Sequence, residues 1–325
     1  MKNGLITLII TIISIQTCLS QNNKGAIDIS ERIGEFTGIV YDICFSDSGK
    51  TLVIPESNQI CFYDINSKVR TKIMRDGHSK AILAIDLSVD EKLIASGGMD
   101  SIILIRNIHT GEILRKLDYH HGVITTLNFS PDRNLLATGS SDKTVVIFDL
   151  LMGKIVYKFD DFVSDITKVK FSPNGQILAV ASLDHQIRLY DTKSGQIISN
   201  LVGHKNSVRN LCFNKEGTML YSCGDDSRLI VWNIKNRTLI KKESVENFGS
   251  DWLLSVDVIQ DAQVVAGMDS KIFVATNFGT YIGKIGVPVN RILFIPDKGH
   301  VLRFAVATRG KGVFLIGTLK FEFKK

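Results

Sequence analysis

Proline is scarce in this sequence, and charged residues are slightly fewer than average. It has 5 prolines among 325 residues, 22% of its residues are charged and 44% are hydrophobic. This composition excludes a disordered or low-complexity chain and predicts a packed globular protein that buries a sizeable core. The length allows two domains, or one all-β domain, since such domains often exceed about 250 residues.

Cysteine is also sparse, and none of it has the spacing of a metal or disulfide motif. No Cys-x-x-Cys occurs, and Cys44, Cys61, Cys212 and Cys223 each lie in an apolar, strand-like segment. A thiol in such a segment usually behaves as a small hydrophobic side chain. We therefore expect neither a metal centre nor a disulfide framework, and no cofactor.

A basic stripe interleaved with aromatic residues is absent as well. The formal net charge is +6, and apart from the tail "KFEFKK" the positive residues are spread along the chain. Nucleic-acid binding is therefore not expected.

The N-terminus differs from the rest of the chain. Lys2 precedes "GLITLIITIISIQTCLS", an uncharged stretch whose apolar centre has the length of a signal-peptide core. The pattern predicts a signal peptide over residues 1–20 with cleavage before Gln21, a secreted or periplasmic protein, and no membrane span after signal removal. Lipidation of Cys18 is the weaker alternative, and an uncleaved anchor or a buried first strand is another.

A repeat of about forty residues covers most of the remaining chain. One aspartate recurs at intervals of 42, 42, 42 and 43 residues: Asp100, Asp142, Asp184, Asp226 and Asp269. Six positions after each aspartate stand Arg106, Phe148, Tyr190, Trp232 and Ala275. Upstream, the same period places His78, His120, Phe162 and His204. Such a period is typical of repeat architectures.

Each repeat contains four strand-like segments. In "ITTLNFSPDRNLLATGSSDKTVVIFDLLMGKIVYKF" the segments are separated by turns at Pro-Asp, at Ser141-Asp142-Lys143 and near Gly153. Four strands in about forty residues predict the blade of a β-propeller. The segment "GHKNSVRNLCFNKEGTMLYSCGDDSRLIVWN" resembles the WD-repeat family, whose units run from Gly-His to Trp-Asp; Asn233 stands in place of the final Asp.

The resemblance implies an all-β, seven-bladed propeller of four-stranded antiparallel blades over residues 21–325, a single domain. Five blades are clear, whereas the sixth and a last one that ends near Phe314 keep little of the pattern. In this family an N-terminal strand closes the ring by pairing with the last blade, which covers exposed edges. The segment "AIDISERI", residues 26–33, is the candidate.

The resemblance also gives the recurring aspartate a structural role. In the family, a histidine, a serine or threonine, the turn aspartate and a tryptophan form one linked polar network, and a buried indole N–H needs an acceptor. The corresponding residues here are His204, Ser222, Asp226 and Trp232; His120, Thr138 and Asp142; His78, Ser96 and Asp100; and Asp184 alone.

Chemical alternatives exist for some of these residues. Ser222, His204 and Asp226 are the residue types of a hydrolase triad, but similar sets recur in neighbouring repeats and no G-x-S-x-G motif occurs. The segment Asp118–His121 could indicate a metal site, although adjacent histidines in an extended loop seldom converge on one ion. The doublets at 160–161 and 225–226 resemble paired carboxylates but fit solvated turns better.

WD-repeat proteins commonly bind partners on the face lined by two positions per blade. The first position corresponds to Tyr41, Leu83, Thr125, Thr167, Arg209 and Leu254. The second corresponds to Met99, Ser141, Leu183, Asp225 and Met268, and Trp252 lies beside them. Aromatic residues, methionine and arginine are enriched in binding hot spots. The alternative is that these side chains merely pack between weak blades.

The function expected from the sequence is a non-catalytic scaffold that binds a protein or peptide partner outside the cytoplasm and is a monomer on its own. One alternative is a propeller enzyme, a hydrolase or oxidoreductase, with its site in the channel. Another is a cytosolic scaffold, if residues 1–20 are not a signal peptide.

Overall fold

The structure is a computed structural model, and it describes residues 28–33, 39–46, 49–132, 134–235, 238–247, 251–259, 262–276, 279–295, 302–309 and 315–319. These residues form short β-strands joined by tight turns. Among them, no helix has the length and apolarity needed to cross a membrane. The predicted signal peptide, the cleavage site before Gln21 and Cys18 lie outside the described residues.

The strands follow one another along the chain in hairpins. Before the first blade comes β1 (Asp28–Arg32). The first three blades contain β2 (Cys44–Ser46), β3 (Thr51–Glu56), β4 (Gln59–Asp64), β5 (Arg70–Met74), β6 (Ile82–Leu87), β7 (Leu93–Gly98), β8 (Ile103–Asn107), β9 (Ile113–Leu117), β10 (Ile124–Phe129), β11 (Leu135–Ser140), β12 (Val145–Asp149) and β13 (Lys154–Phe159).

The next three blades contain β14 (Ile166–Phe171), β15 (Ile177–Ser182), β16 (Gln186–Asp191), β17 (Ile197–Val202), β18 (Val208–Phe213), β19 (Met219–Gly224), β20 (Arg228–Lys235), β21 (Thr238–Asn247), β22 (Leu253–Ile259), β23 (Ala262–Gly267), β24 (Lys271–Thr276) and β25 (Gly279–Lys284). The last strands are β26 (Val289–Phe294), β27 (Leu302–Thr308) and β28 (Leu315–Leu319).

The blade count predicted from the sequence needs correction. Within the described ranges, six blades, not seven, consist of four strands that are consecutive in the chain: β2–β5, β6–β9, β10–β13, β14–β17, β18–β21 and β22–β25. The other four-stranded sheet is composite, with the order β1-β28-β27-β26. The physical reason is that the described residues of the last repeat supply three strands, β26, β27 and β28. The free edge of β28 is therefore paired by β1, antiparallel, with Asp28 opposite Thr318 and Arg32 opposite Leu315.

The inner strands β2, β6, β10, β14, β18, β22 and β26 succeed one another around the centre, each in contact with the next from β2 to β26. The sheet faces between neighbouring blades carry the core. One apolar cluster joins Ala179 and Leu189 of one blade to Leu220 and Trp232 of the next. Burial of such faces is the main stabilising contribution expected for this architecture.

Contacts between the first and last sheets complete the ring. Ile33, just after β1, is fully buried in a cluster with Leu52 and Ile54 of the first blade and Ala305 of the composite sheet. The side chain of Asn290 donates a hydrogen bond from Nδ2 to the Val40 carbonyl oxygen over 2.8 Å. The two ends of the chain therefore meet in one packed junction.

Candidate functional site

The recurring aspartate is part of a buried hydrogen-bond chain in the blade of β18–β21. Trp232 Nε1 donates to Ser222 Oγ over 2.8 Å, and Ser222 Oγ lies 2.8 Å from His204 Nε2. His204 Nδ1 lies 3.0 Å from Asp226 Oδ1. These distances fit a neutral imidazole. Its Nε2 accepts a hydrogen bond from the Ser222 hydroxyl, and its Nδ1–H donates one to the Asp226 carboxylate. The network links the third strand of the blade to the entry loop and to the turn.

Two other blades repeat this chain without the indole. His120 Nδ1 lies 3.0 Å from Asp142 Oδ2, and its Nε2 lies 2.9 Å from Thr138 Oγ1. The corresponding distances around His78 are 3.0 Å to Asp100 Oδ2 and 2.9 Å to Ser96 Oγ. In each blade the carboxylate also accepts the backbone N–H that follows the histidine, as in Ser79 N to Asp100 Oδ2 at 2.9 Å. The aspartate thus satisfies turn donors as well as the imidazole.

In the blade of Asp184, a side chain other than histidine binds the turn aspartate. Phe162 stands at the histidine position, and Arg188 Nη1 donates to Asp184 Oδ2 over 2.8 Å. The Arg188 guanidinium lies 4.5 Å from the centre of the Phe162 ring. A cation on a buried aromatic face is favourable. Arg188 therefore supplies the donor that a histidine provides in the other blades, and it adds a positive charge.

The triad alternative can be judged from burial. The distances from Ser222 to His204 and from His204 to Asp226 are those of a nucleophile and its base. Ser222 is, however, fully buried, and its oxygen already accepts the Trp232 indole N–H. The Ser222 hydroxyl is therefore shielded from a substrate carbonyl, and the set links the strands, the entry loop and the turn of one blade.

Burial and hydrogen bonding shift the pKa values in these networks. Burial lowers the pKa of His78 and of His120 below 6.5, against the opposing attraction of Asp100 and Asp142. For Asp226 burial favours a higher pKa, but the bonds from His204 and from the Lys205 and Arg228 N–H groups outweigh it, so its pKa lies below 3.8. Neutral imidazole beside ionised carboxylate is therefore the state that the fold favours.

The first set of predicted face residues coincides with a β-bulge. The register shifts between the first and third residues of β6, β10, β14, β18, β22 and β26. The second residue of each strand is the bulged one and has no partner in the strand pairing. In five of these strands it is a residue that the sequence predicted for the binding face: Leu83, Thr125, Thr167, Arg209 and Leu254. Bulges re-aim side chains and often lie beside binding sites. Tyr41 precedes β2 and is half-buried.

Backbone hydrogen bonds fix the second set beside the first. The N–H groups of Met99, Ser141, Leu183, Asp225 and Met268 each donate to a carbonyl near the start of the same blade's inner strand. Three of these residues follow a glycine, and a Cβ on Gly98, Gly224 or Gly267 would lie within 2.0 to 2.2 Å of that carbonyl oxygen. The close approach therefore requires glycine at these positions.

The predicted residues differ in what they offer to a partner. The Thr125 and Thr167 hydroxyls donate hydrogen bonds to the Ile166 and Val208 carbonyl oxygens, both over 2.6 Å. These bonds connect neighbouring blades. Leu83, Ser141, Leu183 and Leu254 are half-buried. Met99 and Trp252 are exposed, at 39% and 45%.

The exposed indole of Trp252 lies in a rigid polar setting. Arg209 binds Asp225 through two hydrogen bonds, Nε to Oδ1 at 2.7 Å and Nη2 to Oδ2 at 2.6 Å. The same guanidinium lies 5.4 Å from the centre of the Trp252 ring. Met268 donates its N–H to the Trp252 carbonyl, and Arg309 Nη1 lies 3.6 Å from Met268 Sδ. We name Arg209, Asp225, Trp252, Met268 and Arg309 the Trp252 patch.

Sequence reasoning missed two members of this face. Arg309 occupies the second position in the composite sheet, because its N–H donates to the Pro288 carbonyl. Asn290 is the bulged residue of β26, and its hydrogen bond to the Val40 carbonyl connects this sheet to the segment before β2. The last repeat retains too few of the recurring residues to locate these two positions. The apolar segment that forms β26 does, however, indicate an inner strand there.

Elsewhere, the residues singled out for metal or acid chemistry are dispersed. His120 is engaged by Asp142 and Thr138, whereas His121 is exposed. Within the described ranges no three His, Cys, Asp or Glu side chains are arranged to hold a metal ion. Asp161 accepts the Tyr190 hydroxyl over 2.8 Å, and Asp225 is bound by Arg209. Cys44, Cys61, Cys212 and Cys223 are free thiols.

Comparison with known proteins gives one family. Residues 39–293 match the family model described as the IFT122 first beta-propeller. A comparison with curated proteins finds no match. The matched range extends from the approach to β2 into β26, and thus includes the six blades of consecutive strands and the start of the composite sheet.

Proposed function

Because the chain belongs to the family of the IFT122 first beta-propeller, we propose that it is a non-catalytic scaffold that binds a protein or peptide partner through the Trp252 patch. The observation that supports this best is an exposed tryptophan next to an arginine whose conformation is fixed by a carboxylate. Tryptophan and arginine are the residues most enriched in binding hot spots.

The patch is suited to an apolar anchor on the partner. Trp252 and Met268 offer apolar surface, and the bidentate pair with Asp225 holds Arg209 in place before a partner arrives. A preorganised side chain loses less conformational entropy on binding. The bulge and the glycine-dependent approach of Met268 to the Trp252 carbonyl keep the two elements of the patch together.

The experiment is a peptide selection followed by matched variants. Peptides selected from a displayed library on the folded protein are measured against Trp252→Ala with Met268→Ala. We expect affinity to fall by about 30-fold, the effect of a hot-spot truncation of about 2 kcal/mol. The control is Leu151→Ala with Met152→Ala, two exposed apolar residues at 76% and 69% in another blade. Equal affinity of the two double variants would refute the assignment of the patch.

We also propose that the chain acts outside the cytoplasm, which rests on the apolar stretch that follows Lys2. N-terminal sequencing of the protein purified from its native source is the test. Gln21 as the first residue supports export, whereas Met1 contradicts removal of a signal peptide.

A further inference from the structure

A polar cavity of about 300 Å³ lies at the centre of the propeller, among the inner strands β2, β6, β10, β14 and β26. It extends to Ser88, Val89 and Glu91 in the turn after β6. The Trp252 patch lies where inner strands begin, whereas this turn follows the end of an inner strand. The cavity therefore opens towards the end of the channel opposite to the proposed docking face.

Apart from Ser88 and Glu91, the polar side chains of the cavity come from two positions that repeat around the ring. The bulged residue of each inner strand is followed by a residue whose side chain lines the channel, and a second such residue comes two positions later. In the cavity these residues are Asp42, Cys44, Asp86, Asn128, Lys168, Lys170 and Arg291. Sequence reasoning missed them, although the 42-residue spacing of Asp86, Asn128 and Lys170 within otherwise apolar strands was a signal.

Each carboxylate of the cavity has a hydrogen-bond or ion-pair partner. Asp42 accepts the Ile43 N–H over 3.1 Å and pairs with Arg291 Nε at 3.1 Å. Asp86 Oδ2 accepts from Asn128 Nδ2 at 2.7 Å and from the Phe129 N–H at 2.8 Å. Glu91 accepts the Ser46 hydroxyl over 2.7 Å. Each of these carboxylates is thus bound at one oxygen or more by a donor of the protein itself.

The two lysines differ from the carboxylates. Lys168 and Lys170 are half-buried on β14, and no hydrogen bond or ion pair to either ammonium occurs among the residues that the structure describes. An ammonium group has three donors, and withdrawing it from water without an acceptor is costly. Asp42 and Asp86 attract Lys168, and Lys170 attracts Asp86, but none of these pairs forms a hydrogen bond in the part of the chain that the structure describes. Both ammonium groups therefore keep donors that face the cavity.

We propose that this cavity binds a small free oxyanion, such as sulfate, phosphate or a small carboxylate, with Lys168 and Lys170 as its main donors. The volume admits a small molecule, and Arg291 lies on the opposite wall, where it also donates from Nη1 to Ser255 Oγ over 3.2 Å. An oxyanion would supply charge-assisted hydrogen bonds to both ammonium groups.

The protonation of Lys168 should make anion binding depend on pH. Burial lowers the pKa of Lys168 to about 8, the attraction of Asp42 and Asp86 opposes this shift, and Arg291 and Lys170 add to it. A bound anion favours the charged ammonium, so binding at about pH 8 takes up a proton. Affinity for an anion of fixed charge should fall about tenfold from about pH 7 to about pH 9.

The test is equilibrium dialysis with radiolabelled sulfate, whose charge is constant over this range. We expect saturable binding at one site, at least about tenfold weaker in Lys168→Met with Lys170→Met. Its folding is verified by urea denaturation, because the two lysines also attract the buried Asp86 carboxylate and their loss lowers stability. Lys168→Gln alone, which leaves Lys170 beside Asp86, is the milder variant and should weaken sulfate binding in the same direction. Lys154→Met with Lys158→Met, two exposed lysines of β13, is the matched control and should bind as the native protein does.

Three results would overturn the proposal. One is sulfate binding that is equal in the two double variants, and another is a native protein that binds no sulfate. The third is displacement of sulfate by an acidic peptide at lower concentration than by free phosphate, which would make a polypeptide the ligand. Trp252→Ala should leave sulfate binding unchanged, so failure of the docking proposal and failure of this one are distinguishable.

Discussion

At the scale of single residues, the same contact is made by different side chains in different blades. The turn aspartate is held by histidine in three blades and by Arg188 in the blade of Asp184. The sequence predicted the histidine sets because they recur at a fixed spacing. It could not predict Arg188, because this residue reaches the carboxylate from four positions further along the chain, outside the repeated motif.

The indole of Trp232 should contribute to stability through its hydrogen bond. Replacing Trp232 by Phe removes the donor to Ser222 Oγ and leaves a smaller ring in a fully packed site. We expect the free energy of unfolding to fall by about 2 kcal/mol, measured by urea denaturation. The same substitution at exposed Trp252 should change it by less than about 0.5 kcal/mol. Equal effects at both positions would contradict this contribution of the indole.

The histidine networks predict loss of stability in mild acid. The pKa values of His78 and His120 lie below 6.5 because of burial, so the unfolded chain binds more protons than the folded one below about pH 6.5. The free energy of unfolding should therefore fall as the pH drops from about 7 to about 5, by up to about 1.4 kcal/mol per pH unit for each histidine. His120→Gln should show a shallower dependence in urea denaturation at each pH, and an unchanged slope would contradict this account.

At the scale of strands, the sequence predicted the hairpins but not every boundary. The alternation of apolar residues and the turn signals gave the strands of the first five blades. The closing strand proposed at residues 26–33 overlaps β1, which pairs with β28. The last blade was placed to end near Phe314, which is outside the described residues, whereas β28 covers Leu315–Leu319. Apolar residues run continuously there, so period-two alternation could not fix the register.

The junction of the two chain ends should carry a large share of local stability. Ile33 is fully buried between the first blade and the composite sheet. Ile33→Ala should lower the free energy of unfolding by about 3 kcal/mol in urea denaturation, because the lost side chain leaves a cavity. Ile113, 42% exposed on β9, is the control, and its change to Ala should cost less than about 1 kcal/mol. Similar costs at both positions would mean that the junction does not hold the ring together.

At the scale of the whole molecule, the propeller separates two kinds of surface. One end carries the exposed Trp252 with its arginine and methionine neighbours, and the other end leads to the charged cavity. The resemblance placed Arg209, Asp225 and Met268 at repeated positions, with Trp252 beside them, but it did not indicate Arg309. The sequence did not predict the charged cavity, because the channel residues are charged, polar or apolar in different repeats and become one site only when the ring brings five inner strands together.

Hydrogen exchange of the complex with a selected peptide tests the central claim, a docking face around Trp252, most directly. The account predicts that bound peptide slows amide exchange in segments 251–255, 267–270 and 307–309, and leaves the turn at 88–92 unchanged, because the peptide covers one face of the ring. Protection confined to the turn at 88–92 or to the outer strands, with no change around Trp252, would contradict it.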